Sequence, residues 1–284
     1  MRVQMRQGRR LRYTGIGRDY GLGGRQMTTT VVTGSASGMG AATRKRFERS
    51  GDKVIGIDIR DAEIIADLST RAGREVAISR VKQHCDALDH FVACAGLATY
   101  ARPLSLIASV NYFGAVELLD GLLQLLQKGK NPAAVVMLSN SAQWLQIDEM
   151  PYFQALLHHD EAEAAKIIDE EPDAFLASGM AYVGSKLALG RAIRQRSTTW
   201  GKAGVRLNGV APGNTKTPML QKILEDPNLR DGVLNMEVPL GRLAEPDDVA
   251  RLVAFLCSPE ASYIHGGIFY IDGGTDALIR PDRF

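Results

Sequence analysis

Cysteine is scarce in this sequence of 284 residues, and aromatic residues make up only 6% of it. The three cysteines are Cys85, Cys94 and Cys257, and no two of them have the spacing of a redox or metal-binding motif. An odd, sparse set predicts free thiols in a reducing compartment, so we expect a cytoplasmic protein. No uninterrupted apolar run reaches the ~18 residues of a membrane span, and no secretory segment is recognisable. The sequence therefore predicts no membrane partner.

Acidic residues are nearly absent from the first 26 residues, which hold seven arginines and one acid, Asp19. The other residues carry 27 basic and 31 acidic side chains, a net charge of −4. Met27 directly precedes a strand-like run, so we expect residues 1–26 to be an extension outside the folded domain, spurious or disordered. A basic arm that binds nucleic acid or a membrane surface is the alternative. The acidic remainder of the chain argues against nucleic acid as a partner.

From residue 28 onward, short β-branched runs alternate with amphipathic stretches of helical length. This alternation predicts one doubly wound parallel α/β sheet with helices on both faces, spanning residues 27–284 as a single domain. The continuous apolar run AAVVML at 133–138 is typical of a central strand buried on both faces. The predicted strands cover 30–33, 53–58, 64–66, 89–93, 133–138, 205–210 and 268–271, and the predicted helices 39–50, 105–127, 180–200 and 247–257.

Residues 143–178 interrupt this alternation with nine acidic residues and one lysine. Apolar residues recur there at helical spacing, so we expect a small helical insertion whose apolar stripe faces inward. That stripe comprises Phe153, Leu156, Leu157, Ala164, Ile167 and Ile168. His158 and His159 are adjacent, and a helix directs adjacent side chains about 100° apart, so we predict no metal site there.

Residues 33–40 read TGSASGMG and lie between the first predicted strand and the first predicted helix. Glycine permits a tight turn that brings backbone N–H groups close to a pyrophosphate, and the helix N-terminus adds partial positive charge. The spacing and its position predict a Rossmann-type dinucleotide site. The residues expected to contact the cofactor in this loop are Gly34, Ser37, Gly38, Met39 and Gly40.

Asp58 ends the second predicted strand, 18 residues after Gly40. A carboxylate there accepts hydrogen bonds from the adenosine ribose of NAD and repels the 2′-phosphate of NADP. The loop at 35–37 contains no basic residue that would favour that phosphate, whereas Arg60 weakens the discrimination. An ordinary turn aspartate is the structural alternative. The sequence favours NAD.

Tyr182 and Lys186 are four residues apart in YVGSK, which places them on one face of a helix. A phenol is a poor base at neutral pH unless a neighbouring cation lowers its pKa, which is the role that a lysine ammonium can fill. Ser139 ends the predicted central strand, where its hydroxyl can hold a substrate oxygen. Asn111 is a candidate anchor for a water chain to Lys186, or a residue that caps or kinks its helix.

Taken together, these motifs make residues 28–284 resemble the short-chain dehydrogenase/reductase family. The matching features are TGSASGMG, Asp58, Asp67-Leu68, CAG at 94–96, Asn111, Ser139, Tyr182, Lys186, APG at 211–213 and IDGG at 271–274. The resemblance implies a catalytic tetrad of Asn111, Ser139, Tyr182 and Lys186. It also implies cofactor contacts from Asp67, Leu68, Ala95, Gly96, Tyr182, Lys186, Pro212, Gly213, Thr215 and Thr217.

Within that family, segments such as SVNYFGAVELLDG and AGVRLNGVAPGNTKTPML resemble the bacterial branch of 3α-hydroxysteroid dehydrogenase/carbonyl reductases. The family's common Asn-Asn-Ala-Gly is here Ala93-Cys94-Ala95-Gly96, which removes amide contacts. Ser139 and Tyr182 are 43 residues apart, against about a dozen in typical members. The steroid branch also carries an insertion at this point, so this departure supports the narrower assignment.

We therefore predict an NAD(H)-dependent oxidoreductase that interconverts a secondary alcohol and a ketone, with a small apolar substrate of steroid type. A dehydrogenase of a terpenoid or aromatic carbonyl is the alternative, and a non-catalytic NAD sensor is the alternative from another class. The intact tetrad argues against a sensor. Because the insertion can block one of two possible interfaces, we expect a homodimer. Candidate pocket residues, with core packing as the alternative for each, are Leu97, Trp144, Leu145, Met180 and Met219.

Overall fold

The computed structural model describes residues 27–283, and the predicted basic extension at 1–26 lies outside the described residues. Within these residues, seven parallel strands form one sheet, and they are numbered along the chain as β1 (29–33), β2 (53–58), β3 (64–65), β4 (90–93), β5 (133–137), β6 (206–212) and β7 (268–271). Their order across the sheet is β3-β2-β1-β4-β5-β6-β7. The order reverses at β1: β2 and β3 lie on one side of this strand, and β4 to β7 lie on the other. The prediction of a doubly wound parallel sheet is confirmed.

Strands and helices alternate as the sequence predicts. The strands are β1 (Thr29–Thr33), β2 (Lys53–Asp58), β3 (Ile64–Ile65), β4 (His90–Ala93), β5 (Ala133–Met137), β6 (Arg206–Pro212) and β7 (Ile268–Ile271). The helices are α1 (Gly38–Arg49), α2 (Arg71–His84), α3 (Ser105–Ala108), α4 (Ala115–Leu126), α5 (Pro151–Leu157), α6 (Glu161–Asp169), α7 (Ala174–Lys202), α8 (Pro218–Glu225), α9 (Arg230–Leu234), α10 (Pro246–Cys257) and α11 (Thr275–Ile279).

The sheet separates two apolar layers. One layer packs α2, α4 and α7 against the sheet and includes Ile57, Leu119 and Ile193, all fully buried. The other packs α1 and α10 against the opposite face around Val32, Val92 and Val253. Every residue of β5 is buried, as expected for a central strand covered on both sides.

The helical run Ser105–Leu126 is long and apolar enough, by length and composition alone, to cross a membrane. Glu117 and Asp120 interrupt this run, so it is not an uninterrupted apolar segment, and only its average hydropathy reaches that of a membrane span. However, 67% of its most apolar window is buried inside the protein. A core helix passes the same test, so this run is weak evidence for a membrane segment.

Two short helices, α5 and α6, make up most of the predicted insertion between β5 and α7. They pack against α3 and α7, and Phe153, Leu156 and Ile168 are completely buried. Leu157 and Ile167 are partly buried against the same core. The inward-facing apolar stripe is therefore confirmed. The long helix α7 begins at Ala174, six residues before the predicted start, because Asp173 accepts hydrogen bonds from the backbone N–H groups of Phe175 and Leu176.

Candidate active site

The candidate site lies at the carboxyl ends of the central strands, beside the point where the strand order reverses. Two cavities adjoin there and share Met39, Thr217 and Met219 in their walls. The first, of about 370 Å³, extends along the glycine-rich loop to the ends of β2 and β3. The second, of about 550 Å³, opens between the end of β5, the start of α7 and helices α8 and α9.

The glycine-rich loop forms one wall of the first cavity, through Gly34, Ser37, Gly38, Met39 and Gly40. Gly34 has φ +67°, and a Cβ there would lie 2.8 Å from the backbone nitrogen of Ala95. A Cβ at Gly40 would lie 2.0 Å from the carbonyl oxygen of Gly34. Only glycine therefore permits this turn. No side chain caps the N-terminus of α1, which leaves its backbone N–H groups available to an anion.

Asp58 stands at the far end of this cavity, beside Asp67 and Leu68. Its Oδ2 accepts a hydrogen bond from the backbone nitrogen of Ala36 at 3.0 Å, and its Oδ1 accepts one from Ile59 at 2.7 Å. The carboxylate is thereby fixed against the glycine-rich loop. Arg60 is exposed and is not among the residues that line the cavity.

The Cys94-Ala95-Gly96 segment follows β4 and lines the same cavity. Thr33 holds it, because the hydroxyl oxygen accepts hydrogen bonds from the backbone nitrogens of Cys94 at 3.1 Å and Ala95 at 3.0 Å. Burial raises the pKa of the Cys94 thiol to about 12, so this thiol stays protonated. The residue that departs from the family pattern therefore serves as a small neutral side chain.

Ser139 and Tyr182 meet in the wall of the second cavity. Ser139 directly follows Leu138 at the end of β5, and its Oγ lies 2.8 Å from the Oγ of Ser141. The pKa of the Tyr182 phenol is raised above its ordinary value, mainly by burial and to a lesser extent by the nearby Tyr100. A hydrogen bond with the Ser139 side chain opposes part of this rise. The structure therefore brings together two residues that are 43 positions apart in the chain.

Lys186 lies one helical turn after Tyr182 and is buried, with 5% of its surface exposed. Its Nζ donates a hydrogen bond of 2.9 Å to the carbonyl oxygen of Met137. Burial lowers the pKa of this ammonium to about 8. The lysine is thus held against the end of β5, and it is not among the residues that line the second cavity.

Asn111 sits in a π-helical turn, Ser109–Gly114, between α3 and α4. Its side-chain amide accepts from the backbone nitrogen of Leu97 at 2.7 Å and donates to the carbonyl oxygen of Leu97 at 3.0 Å. A Cβ added to Gly96 would lie 3.2 Å from Asn111 Oδ1 and 3.6 Å from Lys186 Nζ. Asn111 and Lys186 thus flank the same glycine. The π-helical turn agrees with the interpretation of Asn111 as a residue at which its helix is interrupted, and its role as anchor of a water chain stays a prediction.

The end of β6 and the loop that follows it complete the second cavity through Pro212, Gly213, Thr215 and Thr217. The Thr217 hydroxyl accepts a hydrogen bond from the backbone nitrogen of Leu220 at 3.2 Å and so caps α8. This cap fixes where the loop ends and the helix begins.

The predicted pocket residues divide among different places. Trp144 and Met219 line the second cavity, whereas Leu97 lines the first. Met180 is buried in the apolar core, and Leu145 is exposed; neither lines one of these two cavities. Sequence reasoning missed Phe175, Val233 and Met236, because helix α9 had no recognisable signal and Phe175 belongs to the unpredicted first turns of α7.

The residues of the first cavity fit an adenine dinucleotide. The cavity joins an uncapped helix N-terminus, a loop that only glycine can form and a carboxylate fixed at its far end. These are the partners of a pyrophosphate and of an adenosine ribose. Ser139 and Tyr182 line the adjoining second cavity, where the reacting end of such a dinucleotide would lie.

Comparison with known proteins agrees with this geometry. A family model described as "Enoyl-(Acyl carrier protein) reductase" matches residues 173–276. The 3-alpha-hydroxysteroid dehydrogenase/carbonyl reductase of Comamonas testosteroni is 48% identical over 259 residues, covering 91% of this chain and all of the relative. Galactitol 2-dehydrogenase of Cereibacter sphaeroides is 32% identical over 258 residues, covering 86% of this chain and 93% of the relative.

Among solved structures, the 3-alpha-hydroxysteroid dehydrogenase of Pseudomonas sp. B-0831 in complex with NADH superposes with a TM-score of 0.86. It is 43% identical, and the match covers 90% of this chain and all of that one. The fold, the cofactor class and the sequence similarity over nearly the whole chain agree. This chain therefore belongs to the short-chain dehydrogenase/reductase family of NAD-dependent oxidoreductases.

Proposed function

We propose that this protein oxidises the 3α-hydroxyl group of steroids with NAD and reduces ketones with NADH. The observation that carries the proposal is the meeting of Ser139 and Tyr182 in a cavity of about 550 Å³ whose walls are mostly apolar. A rigid fused-ring substrate needs such a wide apolar cleft with few polar groups. The names of the Comamonas and Pseudomonas relatives support the same substrate class.

Each polar residue of the site has a role in the proposed reaction. The Ser139 hydroxyl donates a hydrogen bond to the substrate oxygen, and Tyr182 accepts the hydroxyl proton during oxidation. The buried Lys186 ammonium stabilises the phenolate, and Asn111 holds the loop at Gly96 and anchors a water chain to that lysine. When bound, NAD supplies the acceptor for the hydride that leaves the carbinol carbon.

The residues that hold the cofactor follow from the first cavity. The N-terminus of α1 and the loop 34–40 would bind the pyrophosphate, and Asp58 would accept hydrogen bonds from the ribose hydroxyls. Asp67 and Leu68 would contact the adenosine half. The nicotinamide half would be held by Ala95, Gly96, Tyr182, Lys186, Pro212, Gly213, Thr215 and Thr217.

The proposal includes a homodimer in the cytoplasm. Helices α5 and α6 cover one outer face of the domain by packing on α3 and α7, which removes that face from association. The opposite side keeps an exposed Phe255 on α10 and a fully exposed Tyr263 before β7. Three free cysteines, Cys85, Cys94 and Cys257, agree with a reducing compartment. Light scattering tests the dimer, and a tetramer mass contradicts it.

A substrate panel tests the activity. NADH formation is measured with 3α-hydroxysteroids, their 3β-epimers, small cyclic alcohols and terpenoid alcohols, each with NAD and with NADP. We expect kcat/KM to be highest for a 3α-hydroxysteroid with NAD. Higher kcat/KM for a terpenoid or small cyclic alcohol replaces the steroid assignment with a non-steroid one. NADH binding without turnover of any alcohol supports a non-catalytic sensor instead.

A further inference from the structure

Arg74 is a charged residue in the interior of the protein, although it belongs to the amphipathic helix α2. Only 1% of its side chain is exposed. Two carboxylates from different segments neutralise it: Nε donates to Glu117 of α4 at 2.9 Å, and the two Nη atoms donate to the Glu161 carboxylate at 3.1 and 2.5 Å. Glu161 is the first residue of α6, in the insertion.

The same guanidinium reaches two elements of the candidate site. Its Nη1 lies 3.3 Å from the carbonyl oxygen of Leu68 and 3.3 Å from that of Ser109. Leu68 lines the cavity that fits the adenine dinucleotide. Ser109 begins the π-helical turn that carries Val110, a wall of the same cavity, and Asn111. Arg74 therefore joins the insertion, the adenine end of the cleft and the turn that presents Asn111.

Glu117 alone balances the charge of the guanidinium, but its single contact at Nε leaves the two Nη atoms without a carboxylate. Loss of the Glu161 charge therefore weakens the contact that orients the Nη atoms, which then turn toward water or other acceptors. The bidentate contact with Glu161 fixes the plane of the guanidinium, and that plane aims Nη1 at both carbonyl oxygens. The ion pair of Asp148 on the same insertion with Arg191, by contrast, joins two half-exposed side chains.

We propose that Arg74 and Glu161 are positioning residues through which the insertion sets the adenine end of the cofactor cleft and the π-helical turn of Asn111. The insertion thus supports cofactor binding at the end of the cleft remote from the steroid cavity. This proposal rests on the assignment of the first cavity to NAD. It is independent of which alcohol the enzyme oxidises.

The test replaces Glu161 by Gln, which removes the charge and keeps the shape. Glu163→Gln is the matched control, because both acids occupy the first turn of α6. Isothermal titration calorimetry measures Kd for NADH and for ADP-ribose, which lacks the nicotinamide. We expect Glu161→Gln to weaken both ligands by about tenfold, since the change acts at the adenine end. Glu163→Gln should leave both Kd values within about twofold.

Two further readouts separate positioning from simple loss of stability. Glu161→Asp keeps the charge on a shorter side chain, so NADH binding should recover to within about threefold of wild type. At saturating NAD, Glu161→Gln should also lower kcat, because Asn111 is displaced. A lower melting temperature with unchanged Kd values for both ligands would overturn the proposal. Weakened NADH binding with unchanged ADP-ribose binding would also overturn it. If the enzyme does not oxidise steroids, the Kd values for NADH and ADP-ribose are unaffected. The two proposals can therefore fail independently.

Discussion

The ammonium group of Lys186 donates a hydrogen bond to the carbonyl oxygen of Met137, the last residue of β5. The bond joins helix α7 to the strand end that presents Ser139 two residues later. One contact thus fixes the relative position of the two segments that carry Ser139 and Tyr182. The arrangement places a charged group in an interior position, where burial lowers its pKa to about 8.

Replacement of Lys186 by Met should change the pH dependence of stability. The folded pKa of about 8 lies below the unfolded value of ~10.4, so charge burial opposes folding below pH ~8 and this opposition fades as pH rises to ~10.4. The cost is about 3 kcal/mol, partly offset by the hydrogen bond to Met137. We expect Lys186→Met to be about 1 kcal/mol more stable than wild type at pH 7.

Denaturant unfolding at several pH values measures this difference. The advantage of Lys186→Met should disappear by pH ~10, where the folded lysine is neutral and the unfolded lysine, with a pKa of ~10.4, has begun to lose its proton. Lys202→Met, at the exposed end of the same helix, is the control and should show no such trend. A stability difference that is constant between these pH values would mean that Lys186 is not buried as a cation.

Replacement of Tyr182 by Phe removes the proton acceptor and leaves the ring in place. We expect kcat to fall by about 10³-fold, while Kd for NADH changes by less than about twofold. Initial rates and NADH fluorescence titration measure the two quantities. The control is Tyr263→Phe, because Tyr263 is fully exposed and lines neither cavity. Retention of more than about a tenth of the wild-type kcat would remove Tyr182 from the reaction.

Asp58 should decide the choice between NAD and NADP. We expect wild-type kcat/KM to be at least about tenfold higher with NAD, because the carboxylate binds the ribose hydroxyls and repels a 2′-phosphate. Asp58→Asn should reduce that ratio through loss of the charge. Asp61→Asn is the control, since Asn tolerates the φ of +48° found at that position. Equal efficiency of wild type with both cofactors would contradict the assignment and direct attention to Arg60.

We expect the Phe175 side chain to strengthen the binding of large substrates more than that of small ones. It is 80% exposed, yet it lines the second cavity near Ser178 and Gly179. An exposed aromatic ring at a cleft mouth has apolar surface to bury when a fused-ring substrate binds. Phe175→Ala should raise KM for a 3α-hydroxysteroid by about tenfold and KM for cyclohexanone by less than about twofold. Phe255→Ala, on α10, should alter neither KM, and an equal rise in KM for the two substrates would contradict the role.

Much of the fold could be predicted from the sequence, because β-branched runs favour strands and glycines favour turns through local effects. The β2 and β7 boundaries agree with prediction to the residue, and Asp58 falls at the end of β2 as expected. Helices α2, α8, α9 and α11 were not predicted. Polar residues dilute the apolar stripe of α2, and α9 has no buried residue, so neither has a clear periodic signal.

The polar motif of the site was predictable because its residue types and spacings are set by chemistry. The π-helical turn at Asn111 was not, since it depends on how α3 and α4 meet. The role of Arg74 was equally hidden. Its partners Glu117 and Glu161 are 43 and 87 residues away, and only tertiary packing brings them together.

The central claim is that Ser139, Tyr182 and Lys186 oxidise a secondary alcohol of a steroid with NAD as acceptor. The most direct measurement compares the rate of NADH formation for a 3α-hydroxysteroid and its 3β-epimer at equal concentrations. The account predicts rapid NADH formation with the 3α-epimer, little with the 3β-epimer, and loss of both in Tyr182→Phe. Absence of NADH formation with the 3α-epimer, or an unchanged rate in Tyr182→Phe, would contradict it.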